Sequence, residues 1–217
     1  MEVEPADLRT DEKPRGFSKR REQREATRAR IVHAAVDVLI ERGVAGTTTL
    51  EVQARSGVGR GTLLHHFPTH ADLLSATVGG LVSRNEAIVK HEAAAATRAD
   101  SLTNAITVLA TAASSPSYLA ELELWAVARA DRHLHAALLT QERAARFESD
   151  RVLAALFAPL ADRPGCKDVA ALTLELVRGM ALSGVLRRDD THRDELLRGW
   201  IDAARLLLDR PEQENAP

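Results

Sequence analysis

The chain has 217 residues, enough to bury a sizeable core, and 45% of them are apolar, which excludes disorder throughout. Aromatic residues are scarce at 3% and β-branched runs are few, which argues against strands. A single cysteine, Cys166, excludes an intrachain disulfide framework and a cysteine-rich zinc site, and the net charge of −2 conceals a strongly basic N-terminal segment.

The first residues, MEVEPADLRTDEKPRG, lack the apolar core of a secretory signal, and no run of about 18 apolar residues offers a membrane span. A cytoplasmic protein is therefore expected. Between Arg15 and Arg30 lie seven basic side chains against Glu22 and Glu25, an electrostatic footprint for a polyanion. Residues 1–22 read as a basic flexible arm. From about residue 23 to 43, Ile31, Ala34, Ala35, Val38 and Leu39 recur at helical spacing, and Gly43 and Gly46 end the run. Thr48-x-x-Glu51 reads as a capping box opening a short second helix that closes near Ser56. Gly57 supplies the left-handed residue of a tight turn, and a third helix runs from Arg60 to His66 until Pro68. Two short helices joined through a glycine make a helix-turn-helix, so residues 23–69 are expected to form a DNA-binding unit.

Beyond Pro68 the prolines are far apart and the periodic segments lengthen. Helices are expected over about 70–97, 101–113, 117–130, 132–157, 167–187 and 192–209, giving an all-α fold of about nine helices. A larger helical body would span 70–210, with a frayed tail at 211–217. In the last two helices the apolar stripes include Leu172, Leu176 and Met180, then Leu197, Trp200 and Ile201.

The stretch SGVGRGTLLHHF, Ser56–Phe67, carries the most chemistry. A metal site is disfavoured, because adjacent His65 and His66 diverge by about 100° on a helix. A phosphate loop is also disfavoured, since Gly57-x-Gly59-x-Gly61 matches no nucleotide fingerprint and no strand precedes it. A DNA-reading turn uses every residue: Gly59 at the N-cap, Gly61 beside it, and Arg60, Thr62, His65 and His66 on the helix that enters a major groove. Arg24 and Arg28, on the preceding basic segment, are placed to meet the DNA backbone.

RARIVHAAVDVLIERG followed by TTTLEVQARSGVGRGTLLHHFPTHADLL resembles the TetR family of bacterial transcriptional regulators. The resemblance runs from about Arg28 to Leu74. It implies a homodimer whose heads bind a palindromic double-stranded operator at a spacing of about 34 Å, with a small organic effector in the body that releases a repressor. The body, 70–210, would then bind effector and dimerise, with the stripes Leu172, Leu176, Met180, Leu197, Trp200 and Ile201 at the subunit interface. Thr48 would then sit beside a phosphate, and His70 stands where the family usually has a phosphate-contacting lysine. Leu64 replaces a usual tyrosine and Gln53 a small alanine. The competing class is a helical adaptor whose helix-turn-helix is degenerate.

In the body, LAELELWAVARADRHLHAALL is the most distinctive stretch. Leu122, Trp125, Arg129 and His133 are expected to line an effector pocket, with Ala126 facing inward and Glu121, Glu123 and His135 as further polar groups. No nucleophile motif, paired-carboxylate scaffold or cofactor fingerprint points to an enzyme, and no cofactor is expected.

Overall fold

A computed structural model describes residues 15–96, 100–187 and 189–209. Among them the chain is all-helical: α1 Arg15–Gly46, α2 Thr49–Ser56, α3 Arg60–His66, α4 His70–Ala95, α5 Ser101–Ala113, α6 Pro116–Ala128, α7 Arg132–Phe157, α8 Cys166–Gly184 and α9 Asp190–Leu208. One 3-10 turn, Ala158–Leu160, follows α7. The expected arm is partly corrected: residues 15–22 continue α1 as helix, while 1–14 and the expected tail 211–217 lie outside the described residues. The reason is local. The span from Phe17 to Arg42 has neither glycine nor proline and is rich in Arg, Glu and Ala. An i,i+4 pair, Arg21 to Glu25 at 3.0 Å, adds to it.

The head is α1 to α3 around Ile31, Ala34, Ala35, Val38, Val52, Val58, Leu63 and Phe67, with Leu73 of α4 beneath them. Leu39 does not join this set. It faces the other way with Val36 and Val44, buried against Leu74, Val78 and Leu81 of α4, Leu124 of α6 and Leu134 of α7. Regular helix in α1 breaks at Gly43 (φ 69°, ψ −177°), a left-handed backbone that glycine adopts without strain. Two ion pairs, Arg42 to Glu51 (2.6 Å) and Arg55 to Glu41 (2.5 Å), tie α1 to α2.

In the body, α4 packs most extensively on α7, and α5 lies against α8 and α9. A second core unites Ile106, Leu109, Leu122, Phe157, Val169, Val177 and Leu208. Half-buried Met180, Leu197, Trp200 and Ile201 pack onto it. Trp200 Nε1–H donates to Thr173 Oγ1 at 2.9 Å, fixing α9 on α8 within one chain. No helix among the described residues is long and apolar enough to cross a membrane.

Candidate nucleic-acid interface and body cavity

The head's turn is built by local chemistry. The Thr48 hydroxyl accepts from the Glu51 N–H at 3.2 Å, but the Glu51 carboxylate goes to Arg42, so only half of the expected capping box forms. The full box belongs to Thr69 and Asp72 at the start of α4. Gly57 is left-handed (φ 68°) and its N–H closes α2 on the Gln53 carbonyl at 2.9 Å. Gly59 caps α3 with no side-chain bond, as expected of glycine there. Neither Gly59 nor Gly61 has an atom within 4 Å of where a Cβ would stand, so both leave the surface open.

Arg60, Thr62 and His65 are exposed on α3, while Leu63 points into the head core. Arg24 is exposed on α1 in register with this surface, and it raises the potential at His66. The Arg28 guanidinium lies over the Phe67 ring at 5.0 Å, a stacked pose that keeps its charge at the edge of α3. His66 is half-buried, and burial first, then His65, Arg24 and Arg28, hold it below its ordinary range and so neutral. The His65 and His66 rings meet edge-on at 5.6 Å, and no cluster of metal-ligating side chains occurs among the described residues.

His70 differs from its expected role. Its Nε2–H donates to the Thr47 carbonyl at 2.6 Å, tying the start of α4 to the turn after α1. The neutral ring then offers only an acceptor nitrogen to a phosphate, and a phosphate contact requires the imidazolium.

The body holds a cavity of about 700 Å³ among α4 to α8. Tyr118, Glu121 and Trp125 line it from one face of α6, Asn85 from α4, Glu142 from α7 and Arg178 from α8. Asn85 Nδ2 donates to Glu121 Oε2 at 2.7 Å, and Asn85 Oδ1 accepts from Ser117 Oγ at 2.6 Å. Trp125 Nε1–H donates to Glu142 Oε1 at 2.7 Å. Burial, then the Glu142 charge, pushes the Glu121 carboxyl up to about 7. The Arg178 guanidinium lies 5.0 Å from the Trp125 ring centre. Beside the cavity, Glu123 turns toward the head: its Oε1 accepts from the Val44 N–H at 2.8 Å, just past the α1 break.

A family model described as bacterial regulatory proteins, tetR family, matches residues 31–77. Residues 31–77 therefore match the tetR-family regulatory domain. Transcriptional regulators of helix-turn-helix type from Mycobacterium bovis and Mycobacterium tuberculosis are 32% identical over 114 residues, 52% of this chain. That aligned part is 58% of their own length. CymR of Pseudomonas putida is 28% identical over 195 residues, 86% of this chain and 95% of that protein. Among solved structures, the multidrug binding protein EbrR has the same fold, with a TM-score of 0.56 at 21% identity in its imidazole complex. That likeness covers 87% of this chain and 98% of EbrR.

Several expected positions are corrected. Trp125 lines the cavity, but Leu122 is buried in the core behind it. Arg129 is the exposed C-cap of α6, Ala126 is exposed, and His133 opens onto a separate groove with His70 and Asp131. An α-helix places 118, 121 and 125 on one face, and residue 122 lies about 100° from 121. The sequence expectation misses Tyr118, which that spacing points to, whereas Asn85, Glu142 and Arg178 carry no local signal. Of the expected interface residues, Leu172 is 48% exposed, while Leu176, Met180, Leu197, Trp200 and Ile201 are half-buried. The outward apolar side chains are Leu182, Val185 and Leu186 of the α8 end, with Leu196 and Leu206 of α9. α8 and α9 carry apolar groups on two sides, and the strongest periodic stripe is the inner one.

Proposed function

We propose that this chain is a TetR-family DNA-binding transcriptional regulator that acts as a homodimer, a repressor released from a palindromic operator by a small organic effector. The observation carrying the reading is the outer face of α3, where Arg60, Thr62 and His65 stand exposed while Leu63 holds the helix to its core. Arg60 addresses a guanine edge or phosphate and Thr62 a phosphate or thymine methyl. Thr48, Gly59 and Gly61 let the backbone come close, and Arg24 and Arg28 with the basic helical start of α1 bind phosphates. His65 and the neutral His66 complete the α3 edge, and His70 adds a phosphate contact only when protonated.

Exposed apolar side chains along α8 and α9, Leu172, Leu182, Leu196 and Leu206, with Leu186 just past α8, support a second copy as partner, because Leu186 (91% exposed) and Leu206 (78%) gain most from burial. EbrR, a multidrug binding protein of the same fold, has been crystallised with proflavin, and a cavity of about 700 Å³ supports the body here as the effector site. Linkage then gives release: an effector that favours a body shape with another head spacing weakens DNA binding by the same coupling energy.

Fluorescence anisotropy against the DNA upstream of its own gene and a scrambled duplex, across a salt series, tests the reading. Specific, steeply salt-dependent binding is expected, and Arg60→Ala should lower it by about 1–3 kcal/mol. Equal weak binding to both duplexes, unchanged in Arg60→Ala, would favour the adaptor class.

A further inference from the structure

The ionised groups of the body cavity do not balance. Arg178 is already matched, since its Nη1 donates to both oxygens of Glu175, at 2.6 and 2.7 Å. At the rim, Glu86 holds Lys90 and Arg151, and Arg151 also takes Glu148. Among the described residues, neither Glu121 nor Glu142 is ion-paired: the Arg178 charge reaches Glu121 without a bond to it and draws its carboxyl down less than burial and Glu142 push it up. Glu121 receives the neutral amide of Asn85, and Glu142 the neutral indole of Trp125. Glu121 is only 8% exposed, and a buried carboxylate whose hydrogen bond comes from a neutral amide is a costly arrangement. Its carboxyl is raised to about 7 by burial and by Glu142, as two acids without an ion pair around one apolar space require. The remaining wall is apolar, with Val89, Leu109, Ala112 and Leu138 beside the Trp125 and Tyr118 rings.

We propose that the cavity takes a planar organic monocation, its protonated nitrogen between Glu121 and Glu142 and its apolar body along Trp125 and Tyr118. The inference rests on the reading of this cavity as the effector site and names the chemistry of its occupant. A volume of about 700 Å³ is within the range that encloses a drug-sized molecule. The ammonium or amidinium replaces the missing counter-charge, and its rings gain apolar burial.

The proposal carries a pH sign. The cation binds the ionised Glu121, so binding releases a proton where that carboxyl is still protonated, and affinity rises from pH 6 to pH 8. Groups sharing the cavity with Glu121 are Asn85 and Glu86 from α4, and His135, Glu142, Arg146, Glu148 and Asp150 from α7. From α8 come Glu175 and Arg178, and from its own helix Tyr118. A His135→Gln background removes the imidazole, so that the remaining pH dependence belongs to the carboxylate pair.

The test is calorimetry on the purified full chain without DNA, with three near-isosteric probes: 2-naphthamidine, 2-naphthamide and 2-naphthoate. The amidine is expected to bind at least about tenfold tighter than the other two at pH 8, and less tightly at pH 6. Glu121→Gln and Glu142→Gln should each weaken it about tenfold, in variants whose melting shows them folded, and Glu121→Gln should also flatten the pH dependence. Tightest binding of the naphthoate would overturn the proposal and place the seat at Arg178 and Tyr118. Equal binding of all three, or of none, would overturn it too. Operator release is read separately. Amidine binding without release upholds the cation site and removes the effector reading. Release by another compound, with no amidine binding, does the reverse.

Discussion

The head and the body solve the same problem, presenting polar groups on a helical scaffold, by opposite means. In the head, Arg60, Thr62 and His65 come from one seven-residue helix, and the turn that aims it is made within a dozen residues. In the body, the Glu121–Asn85 contact joins residues 36 apart, and Trp125 and Glu142 are 17 apart on two helices. A surface that must fit DNA can be written locally because its partner supplies the shape. An enclosed cavity must gather its wall from several helices, and burial then alters the chemistry of what it gathers.

The sharpest way to break this comparison is through Glu121. Its folded carboxyl stands at about 7 against an ordinary 4.5, so between these values the folded chain holds a proton that the unfolded chain has lost. Stability contributed at low pH therefore declines as pH rises through that window, by on the order of 2–3 kcal/mol. Urea unfolding from pH 5 to 8 should show wild type losing stability relative to Glu121→Gln by that amount. A difference that stays constant with pH would mean the carboxylate is solvated and the body no different from the surface. Next in size is Gly57→Ala in the head. Its Cβ meets no neighbour, so the cost is the left-handed backbone alone, about 1–2 kcal/mol in thermal melting. A neutral result would show that the turn relaxes, and that the head is less locally determined than its geometry indicates. Smallest is Gly59→Ser, which adds an N-cap hydroxyl to α3 where none exists and should raise stability by a few tenths of a kcal/mol. A loss of stability there would point to a contact of the open surface within the chain itself.

The same contrast explains what the sequence allowed to be read. Beyond α1 the helix bounds are legible because proline, glycine and serine punctuate them, as at Ser115-Pro116, where Ser115 caps α6 through the Tyr118 N–H. The α3 surface was legible because neighbours in sequence are neighbours in space. The α1 boundary was misread toward disorder, since a charged run without glycine or proline makes helix as readily as a solvated arm. Leu122 is expected in the wall because apolar residues line pockets, yet it lies in the core while its neighbour Glu121 faces the cavity. Burial of a carboxylate has no signature in one helix when its amide partner lies in another. Leu176, Met180, Leu197, Trp200 and Ile201 were recognised as apolar, but periodicity does not say which of two apolar faces points inward.

One helix belongs to both regions. α1 gives Ile31, Ala34, Ala35 and Val38 to the head and Val36, Leu39 and Val44 to the body, and Glu123 holds the backbone where it leaves. The head is consequently not a portable module. A fragment ending near residue 69 would expose Val36, Leu39 and Val44 to water and adhere to other chains. A chimera that grafts this head onto a relative's body must carry across the complementary side of α4 and α6, or the seam will not close.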